Sequence, residues 1–170
     1  MAAYPVCCVA RLPISFLNKV LDEALAGSEE LAPNSEHELS IVVATSDGSS
    51  RVPDEARAPP LGDNFAPFVA GSVEDAGRHH VGGAPYFAVL DQQSANDDTA
   101  ILVRRQESGS FDTARVTLRS AQIVLISLTM ATLGFEEVQT IADSQGGVYG
   151  RPRQTPRKGR PAPPKELRAE

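Results

Sequence analysis

Three groups of residues in this chain have side chains that could do chemistry. Asp91 closes the apolar run "YFAVLD". In an open α/β sheet ligands gather outside the C-terminal ends of the strands, so a carboxylate there can anchor a hydroxyl or a cation. His79 and His80 end "VEDAGRHH", where imidazoles could bind a ligand or move a proton. Neighbouring residues diverge by about 100° on a helix. With no H-E-x-x-H spacing in the chain, the pair does not read as a zinc site. Glu136 and Glu137 follow Phe135 in "GFEEVQTIADS". They diverge in the same way, and acids in a first helical turn complement the helix dipole. These glutamates are therefore expected on the solvent side of a helix anchored by Phe135, not as an acid pair. Asp97 and Asp98 sit in "DQQSANDD", which lacks the glycine and closing Glu of a calcium loop and reads as a turn. The ligand-binding candidates are thus Asp91, His79 and His80. No catalytic residue, metal ligand or cofactor is assigned.

The elements that must position these groups are legible from periodicity. "YPVCCVA" (4–10) is a buried strand. "PISFLNKVLDEALAG" (13–27) opens on Pro13, carries Ile14, Leu17, Leu21, Ala24 and Leu25 at helical spacing, and stops at Gly27. "ELSIVVAT" (38–45) is β-branched. Strand, helix and strand make a right-handed βαβ unit with parallel pairing. Residues 46–67, rich in Ser, Gly, Pro and Asp, read as a long surface loop. Ser72 caps a short helix through His80. Strands at 86–91, 99–105 and 113–119 then form a meander joined by turn-like "QQSANDD" and "QESGSFD". "SAQIVLISLTMATLG" reads as a buried helix from Ser120 to Thr132, and 135–144 as a last helix with Phe135, Val138, Ile141 and Ala142 inward. The fold class is α/β: one small domain over residues 1–150, with a mixed sheet and two C-terminal helices packed on it.

Charge is unevenly placed. Residues 151–170 hold seven basic side chains against Glu166 and Glu170, an excess of +5. The chain's net −6 therefore leaves −11 on residues 1–150. An acidic body repels nucleic acid and anionic membrane, so only the tail could attract a polyanion, and weakly. Five prolines among these cations oppose a packed element and point to a disordered tail. Lys158, Pro161 and Pro164 fit a polyproline-ligand pattern for a protein partner. Cys7 and Cys8 are adjacent, point to opposite faces of a strand and read as small apolar residues in a reducing compartment. The longest uncharged run, Ser120 to Phe135, is 16 residues and too short to span a bilayer. A soluble intracellular chain is expected, cytoplasmic or nuclear.

"YFAVLD", "NDDTAILVRR", the apolar helix and "GFEEVQTIADSQGGVYGR" together resemble the C-terminal half of a bacterial and fungal family, domain-of-unknown-function family number 6924. Phe135, Glu136, Glu137, Gly147, Val148, Tyr149 and Arg151 carry the likeness, which covers residues 84–151. Gly146 stands at the family's acidic position, Gly150 precedes Arg151, and "PRQTPRK" replaces the closing Gly-Phe. The family has no established activity, so the resemblance implies a fold. A well-patterned core without G-x-S-x-G, G-x-x-x-x-G-K or another convergent catalytic set points to a non-enzymatic protein-interaction or scaffold domain. The alternative is a small-ligand-binding domain or small enzyme with its pocket at the strand ends near Asp91 and the 46–67 loop.

Overall fold

The computed structural model describes residues 3–152; the tail pattern at Lys158, Pro161 and Pro164 lies outside them. A five-stranded sheet runs β2–β1–β5–β6–β7, where β1 is Tyr4–Cys8, β2 Leu39–Ile41, β5 Tyr86–Leu90, β6 Thr99–Arg105 and β7 Phe111–Thr117. β1 pairs in parallel with β2 and with β5, and β5, β6 and β7 follow as an antiparallel meander. The expected α/β architecture is therefore the observed one. Val6 faces Ala88 and Cys8 faces Leu90 across the parallel pair, which places a strand buried on both sides in the sheet's interior. Cys8 packs on one face of the sheet, with Val6 and Leu90, and Cys7 on the other, with Phe87 and Val89. Burial pushes both thiols up, Cys7 to about 11 and Cys8 to about 12, so they remain protonated and inert.

One face of the sheet is covered by α1 (Ile14–Leu31) and α4 (Leu118–Thr129). Phe16, Leu17, Val20, Leu21 and Ala24 recur at helical spacing and bury one stripe of α1. Each of the four larger side chains contributes about 1.5–3 kcal/mol. The helix does not stop at Gly27, as a C-terminal glycine signal suggested, but continues to Leu31. Gly27 is needed for packing instead: a Cβ there would lie 1.7 Å from the Arg119 carbonyl oxygen of α4. α4 begins earlier than Ser120, because extended Thr117 is its cap and the Ser120 hydroxyl is bonded to that of Thr117 at 2.9 Å. The last helix, α5 (Phe135–Ser144), has the expected bounds and buries Phe135, Val138 and Ala142.

The opposite face carries Val42, Ala70, Val81, Phe87, Val89 and Val103 under a short helix, α2 (Val73–Asp75), that widens into a π-helical turn over Ala76–His80. Ser72 caps α2 through its hydroxyl, as its position suggests. The expected strand 38–45 is interrupted at Val42. Beyond it, β3 (Val43–Ala44) turns away and pairs with β4 (Ser50–Arg51) in a separate hairpin, turned at Asp47 and at Gly48, whose φ is 82°. The 46–67 segment is thus not a bare loop. It holds β4, buries Leu61 in the main core, and offers the Pro53 and Glu55 carbonyls to buried Ser40. "QQSAND" is also not a turn but a helix, α3 (Gln92–Asp97).

Gly27→Ala separates the packing role from intrinsic preference. On an exposed helix this change stabilises by about 1 kcal/mol. Here it drives a methyl into the α4 backbone, and a loss of about 1–3 kcal/mol is expected in urea melts. A Gly27→Ala protein more stable than wild type would contradict the close approach. Phe135→Ala is expected to cost about 3–5 kcal/mol in the same melts, because its ring is buried and leaves a cavity.

Candidate functional site

Asp91 lies at the C-terminal end of β5 and caps α3. Its carboxylate accepts the Ser94 amide at 2.8 Å and hydroxyl at 2.9 Å, while the Ser94 hydroxyl also accepts the Asp91 amide, closing a capping box. The second feature of this short helix is its C-cap, Asp98, in the left-handed region at φ 57°. Arg115 reaches over from β7 and grips both Asp91 oxygens, at 3.2 and 2.6 Å, and also donates to the Thr99 hydroxyl. Thr99 in turn donates to Asp97, which stands 3.6 Å from Arg151. Partial burial pushes the Asp91 carboxyl up, but the Arg115 guanidinium and the Ser94 hydroxyl and amide outweigh it and hold it below the usual carboxylate range. Sequence reasoning missed Arg115 and Ser94. The Asp-x-x-Ser spacing was the available signal for the cap, whereas Arg115 becomes a partner only through the β6–β7 register.

His79 and His80 belong elsewhere. They close the π-helical turn that leads into the N-terminal end of β5, away from Asp91. His80 Nδ1 is 2.7 Å from the Ser50 hydroxyl and Nε2 is 3.4 Å from Asp75, and the ring lies 4.4 Å from that of Phe68. Asp75 also accepts the Gly71 amide, the larger cause that holds its carboxyl low, with His80 adding to it. Ser50, His80 and Asp75 thus fasten the β3–β4 hairpin to the helix that covers the sheet. The order is serine on Nδ1 and carboxylate on Nε2. His79 meets His80 edge-on, with centroids 6.0 Å apart.

Glu136 is on the solvent side of α5, with its side chain 72% exposed, and pairs with Arg104 at 2.8 Å. Arg104 also binds Asp112 and lies over the Phe135 ring, 5.0 Å from its centroid. A cleft of about 380 Å³ opens between α5 and the edge of β7, lined by Thr113, Ala114, Arg115, Gln139, Ala142, Asp143 and Gly147. Neither Asp91 nor either histidine lines it. Among the described residues no group of three His, Cys, Asp or Glu is placed to hold a metal ion, and no helix is long and apolar enough to cross a membrane.

Comparison of the chain with family models, curated proteins and solved structures returns no match.

The Asp91 cluster makes a pH-dependent prediction. A carboxyl depressed in the folded state stabilises fully above its unfolded pKa, and that contribution is lost as pH falls through the folded pKa. Asp91→Ala removes the cap and leaves a mostly buried guanidinium unpaired, so a loss of about 1–3 kcal/mol is expected in urea melts at neutral pH. The difference from wild type should shrink as pH falls below the usual carboxylate range. A difference that does not change with pH would mean that Asp91 contributes no charge to the fold.

Proposed function

We propose that this chain is a protein-interaction or scaffold domain, not an enzyme. The observation that supports this reading is the commitment of Asp91: both carboxylate oxygens are held by Arg115, and one also by Ser94. Asp91 and His80 hold elements of the fold together, and the two stand at opposite ends of β5. A catalytic acid or base must reach a substrate proton within hydrogen-bond distance. Asp91 would have to break its cap and its ion pair to do so.

The cleft at the β7 edge favours a second reading, a small-ligand-binding domain, because Arg115 and Asp143 line it. One pair of measurements separates the two. Full-length protein and a version ending at Gly150 are used to capture a protein partner, which is then purified and rebound to wild type and to Asp91→Asn. Binding unchanged by Asp91→Asn is expected, because an internal carboxylate makes no contact with the partner. A melting screen against nucleotides, sugars and organic acids is expected to give no saturable rise in Tm. A saturable rise that is lost in Arg115→Gln would establish the ligand-binding reading instead.

A further inference from the structure

We infer that the open edge of β7, from Phe111 to Arg115, is a docking rail for one extended, basic segment of a partner protein, which adds as a strand beside it. The inference rests on the interaction-domain reading and names the surface and the chemistry of the partner. β7 is the last strand of the sheet, so the main-chain groups on its outer side have no ladder of their own. The orientation of those groups follows from two bonds. Tyr149 donates its amide to the Arg115 carbonyl and accepts the Thr117 amide, which puts the odd-numbered main-chain groups of β7 on the outer side. Val148 to Gly150 therefore covers the edge only at its C-terminal end. Gln139 covers one further group, donating its side-chain amide to the Thr113 carbonyl at 3.1 Å. Among the described residues, the Thr113 and Arg115 amides have no protein acceptor, and both residues line the 380 Å³ cleft.

The opposite edge differs. β2 is three residues long, and its Ser40 is buried beneath the carbonyls of Pro53 and Glu55. Three small residues, Ala114, Ala142 and Gly147, are among those that line the cleft at β7. Strand addition draws affinity from main-chain bonds and specificity from alternate side chains. The charge selects a basic occupant. Arg115 is neutralised by Asp91, whereas Asp143 lines the cleft with no cationic partner among the described residues, on a body carrying −11. The chain's own tail is basic but interrupted by five prolines, which lack the amide a ladder needs, so the segment comes from another protein.

The test pans a random linear peptide library over the full-length protein. Thr113→Pro removes one outward amide and no ladder bond, a substitution that edge strands accept. Asp143→Lys reverses the charge at the lip on an exposed residue and keeps the test decisive if the proline variant misfolds. Peptides with alternating β-branched residues and Lys or Arg are expected to be enriched. They should bind each variant about tenfold more weakly than wild type, the effect of one lost main-chain or charge-assisted bond. No enrichment, or enriched peptides that bind both variants as they bind wild type, would overturn the inference. A purified protein partner whose affinity is unchanged by both variants would overturn the edge assignment and leave the interaction-domain reading standing. A saturable small ligand in place of any protein partner would remove both.

Discussion

The architecture depends on the closeness of two helices. Where α1 crosses α4, Gly27 lets the backbones touch. One residue on, Ser28 accepts the amide of Gln122, which is 1% exposed. Gln122 also donates to the Glu36 carbonyl and accepts the Glu38 amide, so one buried side chain joins α4, α1 and the segment entering β2. A buried amide side chain without partners would cost several kcal/mol, but with its groups satisfied it fixes one arrangement. The parallel β2–β1–β5 core is held in register beneath this contact. Arg119 adds pairs to Glu23 and Glu30 on the surface, which in solvent contribute little.

From that frame follow the positions of the polar groups. β5 must lie between β1 and β6, so the chain leaving Leu90 has to reverse within the few residues before Thr99. Asp91 makes the reversal a helix by capping it, and Arg115 comes within reach because β7 pairs Arg115 with Ile101 and Thr117 with Thr99. The carboxylate at the strand end, which in other α/β sheets would face a ligand, is here taken up by the helix cap and the Arg115 pair. On the other face, Ser50, His80 and Asp75 tie a hairpin down over Val42 and Phe87. Polar residues that look reactive in sequence thus act as fasteners, and the open main-chain edge of β7 carries the recognition that we assign to the protein.

Much of this could be read from residue pattern. The 99–105 strand and the 135–144 helix have the bounds their periodicity gives, because each has a clear apolar stripe and a sharp polar or glycine boundary. The βαβ unit and the meander follow from order and length. What escaped the pattern was decided by distance in space. α3 has no apolar stripe, and its cap is a local hydrogen-bonding choice hidden in residues that also favour turns. Gly27 looked like a stop because its second use, contact with a helix about ninety residues away, has no local signature. Gln122 is one polar residue in an apolar helix, and its partners come from Ser28 and the 36–38 segment, far away in the chain. Arg115 gave no sign of its role, since pairing with Asp91 requires the strand register that the turns set.

Asp91 and His80 are committed within the fold, whereas the outward amides of Thr113 and Arg115 on β7 stay open. Amide hydrogen exchange of the full-length protein at neutral pH, resolved residue by residue, tests this arrangement directly. Slow exchange is expected at Asp112, Ala114 and Val116, whose amides face β6, and at Ser94, whose amide is held by Asp91, with fast exchange at Thr113 and Arg115. Thr113 and Arg115 as protected as Ala114, with Ser94 exchanging freely, would contradict it.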